Sequence, residues 1–434
     1  MIIPILINKE TILCHLYLKL IPAPVKFLLN INGSAGVLLS LTTGLLSRYG
    51  QIYYQHKKTL KGTTTYADRQ EPLSVIIAAH NQGEALKNNL PYILEQDYPN
   101  FEVIVINDAS NDDSEEVLKN MEAKYPNLYH TFTPESARYV SHRKLALTLG
   151  VRASKNEWLV FTNANCKPDS DQWLKLMARN FTKGTNVVLG YSNYERKKSA
   201  FNSRIIFERL IQQIGSFSTV FSNGNALTGS GSNMAYRKSV FMKHEGFKNC
   251  LNLKFGEDAM FVNQIHRAHT ARVETDPNSV VRQQMPYSKA DWYEDKVYER
   301  ETSKHLKDMT LFRIHWASFY LINYLLLAWA VAETANLLMF TYNADGERVG
   351  LKELFDYADN APQQIELIAG ISFVWLLMLI TWLLRSLMLK KTCKLFNENR
   401  YFFSLPILEY IQPLRNQMHR LRHMFRRKKD FRKN

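Results

Sequence analysis

The chain has 434 residues and a formal net charge of +15. That length leaves room for a large single core with appended segments. Its four cysteines, Cys14, Cys166, Cys250 and Cys393, have neither paired nor metal-ligand spacing, which excludes a disulfide framework or thiolate metal site and points to a reduced, cytosol-facing domain.

The first 50 residues hold one moderately apolar stretch, Val25 to Leu46, broken by Asn30, Asn32, Gly33, Ser34 and Gly36. It reads as a weak membrane or interfacial helix ending near Arg48. A charged start, compact apolar core and cleavage site are not seen together, so no cleaved signal peptide is expected. Residues 51–71 read as a polar linker.

From Pro72 the pattern becomes strand, turn, helix, repeated. Strands are expected at Leu73–Ala79 (LSVIIAA), Phe101–Ile106 (FEVIVI), Tyr129–Thr133 and Trp158–Thr162. Helices are expected up to Leu94, at Ser114–Lys124 and at Lys144–Ala153. Ser114 caps the second of these, and Glu115 and Glu116 suit its positive end. Strands alternating with helices imply an α/β domain with a mostly parallel sheet and a ligand at the carboxyl ends of its strands. No G-x-G-x-x-G opens the first helix, which argues against a dinucleotide fold.

Two polar residues one apart, Asn163 and Asn165, follow the strand Trp158–Thr162, so both side chains leave the strand end on one face. Two carboxylates in that frame would grip a divalent metal and a diphosphate. Here both are amides, and an amide oxygen brings no negative charge to Mg²⁺ or Mn²⁺. Each lost carboxylate forfeits several kcal/mol, to order of magnitude, at an effective dielectric near 20.

Two later segments are apolar enough to cross a bilayer: residues 316–340, interrupted only by Glu333, and residues 365–389, containing an uncharged run of about 18 residues. Lys304, Lys307 and Arg313 precede the first, and Arg385, Lys390, Lys391 and Lys394 lie at and beyond the end of the second. The link, residues 341–364, carries Asp345, Glu347, Glu353, Asp356 and Asp359 against Arg348 and Lys352. The charge bias predicts a multi-pass inner (cytoplasmic) membrane protein with an extracytoplasmic loop and a cytoplasmic main domain. Residues 301–315 are then juxtamembrane, and residues 390–434 a basic amphipathic cytoplasmic tail facing anionic lipid. The tail has too few interleaved aromatics for nucleic acid, with Phe425 and Phe431 alone, so a nucleic-acid partner is not expected.

Residues 72–300 resemble a family 2 glycosyltransferase with the GT-A fold. The resemblance rests on the order and spacing of SVIIAAHNQGEAL, EQDYPNFEVIVINDASNDDS, HRKLALTLGVRASKNEWLVFTNANC, TGSGSNMAYRKSVF and FGEDAMF. The terminal helices and basic tail are similar to those of membrane-bound bacterial members. The resemblance implies a nucleotide-diphospho-sugar donor, a lipid-linked or saccharide acceptor, and a divalent metal, Mg or Mn, at Asn163 and Asn165.

His80, Glu84, Asp108 and Lys144, with Arg143 beside it, are expected at the nucleotide and diphosphate. Gly231, Ser232 and Asn233 form the donor- and acceptor-sugar loop, where small residues let the backbone approach a sugar. Asp258, with Glu257, heads a helix and is the expected inverting base. In relatives the segment near Asp291 and Trp292 grips acceptor or diphosphate, and Lys296 and Arg300 are the residues available for that here. Three readings of the two asparagines stay open. Fixed cations replace the metal, the chain is a catalytically impaired nucleotide-sugar or partner-binding subunit, or the asparagines are introduced changes that silence an enzyme.

Overall fold

The computed structural model describes residues 49–62, 64–134, 141–197, 199–266, 269–286, 288–340, 362–399 and 401–426. The helix expected over Val25–Leu46, residues 341–361 of the expected link 341–364 and the last eight residues of the basic tail lie outside them. The chain divides into two compact units, Arg48–Ile314 with Met388–Asn434, and Met1–Ser47 with His315–Leu387.

In the first of these units β1 is Leu73–Ala79, β2 Phe101–Asn107, β3 Leu128–Phe132, β4 Trp158–Phe161 and β5 Cys166–Pro168. Further along come β6 Val187–Leu189, β7 Ser192–Tyr194, β8 Met234–Arg237, β9 Ala271–Val273 and β10 Val281–Gln283. The main sheet has the order β3-β2-β1-β4-β8-β6-β9. Its ladders are parallel except where β8 runs against β4 and β6. All seven residues of β1 are buried, as expected of a central parallel strand covered on both faces, and its one polar residue, Ser74, donates to Glu102 at 2.7 Å.

Helices α1 (Gly83–Leu94) and α2 (Ser114–Lys124) cover one face. Leu86, Leu90, Ile93 and Leu118 pack there with Val75, Ile77, Val103 and Val105. Each such fully buried aliphatic side chain contributes about 1.5–3 kcal/mol. Helix α3 (His142–Ala153) covers the other face. A Cβ at Gly150 would meet Ile106 and Ile76 at 2.6 and 2.7 Å, so this glycine sets how closely α3 approaches the sheet. Further helices of this unit include α4 (Trp173–Ala178), α5 (Ala200–Asn223), α6 (Lys238–Lys243), α7 (Glu257–Gln264) and α8 (Lys289–Thr302).

Two helices are long and apolar enough to cross a membrane, α9 (Met309–Phe340) and α10 (Pro362–Leu395). In their most apolar windows 13 % and 33 % of the residues are buried. They extend beyond the expected spans, since residues 309–315 and 390–395 are already helical. Within their own unit Arg385 donates to the Asn323 side chain, and Trp375 Nε1 to Thr334 Oγ1 at 2.9 Å.

Two expectations change. Residues 49–60 are helical rather than linker, with Tyr49, Ile52 and His56 buried. The polar residues there form one face of a helix whose other face is covered. The basic tail also folds back, as helix α11 (Leu405–Met424) packs on α8. Glu409 accepts from Tyr49 Oη at 2.5 Å, His423 Nε2 lies 2.7 Å from Glu301 Oε2, and Arg422 stacks on Tyr293.

Between α10 and α11 the chain is clamped to β10. Glu398 is fully buried and accepts from Arg282 Nη1 at 2.5 Å and Tyr191 Oη at 3.0 Å, and Arg282 Nη2 donates to Phe396 O at 2.6 Å. The Tyr191 and Phe396 rings stack at 3.9 Å. Removing one partner of such a pair strands a buried charge, so Glu398→Ala is expected to cost about 3–5 kcal/mol. A thermal melt of the detergent-solubilised protein checks this, and an unchanged midpoint would refute the clamp.

Candidate functional site

The carboxyl ends of β1, β2 and β4 carry His80, Asp108 and Asn163 respectively. Asp108 is anchored by its own N–H, which donates to Ala79 O at 2.7 Å. Its carboxylate accepts from Thr133 Oγ1 at 2.8 Å and lies 3.6 Å from His142 Nδ1 at the start of α3. His80 Nδ1 is 2.5 Å from Asp108 O. Asn107 holds the turn, donating to Glu115 at 2.9 Å and accepting from the Ser110 N–H at 3.2 Å. Glu84 is exposed in the first turn of α1.

Beside this group, Arg143 Nε donates to Glu257 Oε1 at 2.5 Å and Arg143 Nη2 to Asn163 Oδ1 at 2.6 Å. The Asn163 amide donates to Ser232 Oγ at 3.1 Å, which fixes its orientation with the oxygen toward the arginine. Burial opposes the charge on Arg143, but Glu257 and Asp258 outweigh it and hold its pKa above the usual value.

The next residue, Lys144, points elsewhere. It is fully buried, donates to Leu253 O at 2.7 Å and lies 3.6 Å from Glu257 Oε2. The expectation that Lys144 faces a diphosphate is therefore corrected, because successive residues on a helix leave it about 100° apart.

Asp258 follows Gly256, whose φ of 86° lies in the left-handed region and turns the chain into α7. Its Oδ2 accepts from the Gly231 N–H at 2.9 Å. Burial, then the Glu257 charge, push the Asp258 carboxyl up to about 6, against the pull of Arg143, the Gly231 N–H and Lys144. Glu257, expected with Asp258 at the catalytic position, is buried between Arg143 and Lys144.

Ser232 is buried, with its hydroxyl near Asn163, Arg209 and Gln283. Asn233 does not face a sugar. Trp173 Nε1 donates to its Oδ1 at 3.0 Å, and its Nδ2 donates to Tyr191 O and Ser279 O, each at 2.9 Å. Lys296 is likewise engaged, 3.2 Å from Glu208 and 2.8 Å from Glu299.

Residues 74–245 match the family model described as Glycosyl transferase family 2. They are a family 2 glycosyltransferase domain. Its sheet, mostly parallel with β8 reversed, is the GT-A-like α/β arrangement. Over 231 residues the chain is 26 % identical to the 4,4'-diaponeurosporenoate glycosyltransferase of Staphylococcus haemolyticus, covering 50 % of this chain and 56 % of that protein. Over 127 residues it is 25 % identical to the poly-beta-1,6-N-acetyl-D-glucosamine synthase of Staphylococcus epidermidis, covering 28 % of this chain and 30 % of that protein. The chain thus spans from under a third to just over half of the length of these relatives. Among solved structures, a Pyrobaculum calidifontis mannosyltransferase in complex with GDP-Man and Mn²⁺ aligns over 77 % of this chain and 97 % of that one, at 16 % identity and a TM-score of 0.44.

The donor set of the glycosyltransferase domain does not fit the divalent metal expected at Asn163 and Asn165. Both side chains are neutral, and Asn163 Oδ1 already accepts a charged donor. A divalent ion about 4 Å from the guanidinium would meet a repulsion of about 8 kcal/mol at an effective dielectric near 20. Asn165 offers an amide whose oxygen is 3.7 Å from the Cys166 thiol. Among the described residues no group of three or more His, Cys, Asp or Glu could hold a metal.

Motif reading missed Arg209, His142 and Thr133. Arg209 reaches Ser230 and Ser232 at 3.2 and 3.3 Å from within α5, where no local pattern marks it. A polar cavity of about 1170 Å³, lined by Lys167, Arg196, Arg282 and Phe396, contains none of the expected site residues.

A Cβ at Gly231 would stand 2.1 Å from Asp258 Oδ2. Gly231→Ala is expected to push the carboxylate aside and lower any transferase rate about 10²-fold, the cost of a misplacement near 1 Å. Nucleotide affinity should stay within a few fold. Steady-state kinetics with calorimetry separates the two, and an unchanged rate would remove the Gly231 contact from the site.

Proposed function

We propose that the protein transfers a sugar from a nucleotide-diphospho-sugar to a lipid-linked or saccharide acceptor, with inversion, at the cytoplasmic face of a membrane. The observation that carries this is Asp258. Its carboxylate is oriented by the Gly231 N–H, its proton affinity is raised toward neutrality, and a cation-bearing group stands beside it.

Asp108, with His80 and His142 near it, is the polar group at the β2 end suited to nucleoside hydroxyls and ring N–H donors. In the reaction the acceptor oxygen attacks the anomeric carbon while Asp258 takes its proton. The bond from that carbon to the donor phosphate oxygen breaks, and its electron pair leaves with the nucleoside diphosphate.

Asp258→Asn is expected to lower turnover by 10²–10⁴-fold, the usual range for losing a general base, with nucleotide affinity within a few fold. The wild-type rate should have an acid limb near pH 6, because the carboxyl accepts a proton only above its raised pKa. Asp108→Ala should instead weaken nucleotide binding. Retained turnover in the Asp258 variant would remove it from the mechanism. Nucleotide binding with no transfer across a donor and acceptor panel would favour the impaired, binding-subunit reading.

The membrane part of the proposal is supported by α9 and α10 and by their basic flanks. On α11 the large apolar side chains Ile407, Leu414, Met418 and Leu421 recur at helical spacing and are all more than half exposed. Arg415, Arg420 and Arg422 lie on the same helix, a composition that suits the headgroup region of an anionic bilayer. Reporter fusions at Asn343 and Asn434 are expected to read outside and inside respectively, and an external C-terminal signal would overturn the two-span topology.

A further inference from the structure

We infer that the Arg143 guanidinium is the resident cation of this site, taking the donor diphosphate and the charge of the departing nucleotide, so that this chain binds its donor without a divalent metal. The inference rests on the glycosyl-transfer reading and concerns how that same site holds its ligand.

Three observations carry it. The first is fixation: Arg143 is held at two points, by Glu257 on α7 and by Asn163 at the end of β4, so its position is set before ligand arrives. Fixed charge of this kind stabilises developing negative charge without reorganisation.

The second is availability. The Arg143 side chain remains 32 % exposed, whereas its neighbour Lys144 is fully buried. A guanidinium has five N–H donors. Two are committed to Glu257 and Asn163, which leaves three for phosphate oxygens in the planar fork that suits them.

The third is charge balance. Arg143 and Lys144 are offset by Glu257 and Asp258. Two aspartates at 163 and 165 would add two negative charges, which a divalent ion would cancel. With asparagine at both positions and no metal, the formal charge offered to a diphosphate is the same as with aspartate at both positions and a metal. The asparagines are then part of a coherent site, and Asn163 serves as the acceptor that aims the guanidinium.

The test is calorimetry of the detergent-solubilised full chain against UDP, GDP, CDP and dTDP, each in EDTA, in Mg²⁺ and in Mn²⁺. Wild type is expected to bind at least one of them in EDTA, with affinity changed less than about threefold by either metal. Arg143→Ala should weaken that binding about 10- to 100-fold, the range for losing charge-assisted hydrogen bonds to a phosphate. Arg143→Lys, which keeps the charge and loses the fork, should fall between.

The double variant Asn163→Asp with Asn165→Asp should bind at least about tenfold more weakly in EDTA and regain affinity in Mn²⁺. Wild-type binding that is lost in EDTA and restored by Mn²⁺ would overturn the inference while leaving the transferase reading standing. Failure to bind any of the four nucleotides in any condition would overturn both. The wild-type titration decides the matter even if Arg143→Ala does not fold.

Discussion

The ion pair between Arg143 and Glu257 is the contact on which the site depends, because it ties together elements that the main sheet alone does not join. Arg143 lies in the first turn of α3, Glu257 opens α7, and Asn163 lies two residues past β4. The two helices start 115 residues apart in sequence, and both charges would be costly where they stand without each other. Asn163 adds a neutral acceptor that orients the guanidinium without cancelling its charge.

Around that contact the chain uses adjacent residues for opposite purposes. In α3, Lys144 turns into the interior and is consumed by Leu253 O and Glu257, while Arg143 keeps a third of its surface open. In α7, Glu257 is consumed by the two cations, while Asp258 is left with one backbone N–H and a raised pKa. Helical geometry separates each neighbouring pair in direction, so each helix start turns one residue into the interior and leaves the other less fully paired.

The floor of the site is held from further away. Asn165 O accepts from Gln284 N at 2.9 Å, just past β10, and β10 is anchored through Arg282 to Glu398 and Phe396. Residues after the second apolar helix therefore brace the small sheet β5-β10-β7, and α11 in turn packs on α8. A basic tail that composition alone presents as a surface element is also a structural part of the unit that holds the main sheet. Its exposed apolar stripe faces away from that packing.

The α/β alternation was legible in the sequence because parallel strands buried on both faces must be continuous apolar runs. Leu73–Ala79 has the expected bounds, the second and fourth strands differ by one residue at one end, and the third is shifted by one residue. The placement of Asp108 and Asn163 just past strand ends and of Asp258 in the first turn of a helix was legible because the apolar runs that end there mark those boundaries. Which of two neighbours faces the site was not legible. The expectations of Lys144 at the diphosphate together with Arg143, and of Asn233 as a sugar contact, differ from the structure because burial and hydrogen-bond partners come from Leu253, Trp173, Tyr191 and Ser279, all distant in sequence. Arg209 and Glu398 were invisible for the same reason, since neither lies in a local pattern and each acquires its role only through residues brought alongside by the fold. Local sequence thus determined the elements and where their strands end. Only tertiary packing decided which charges are spent on one another and which remain for a ligand, because that depends on long-range pairing in a medium where an unpartnered charge is expensive.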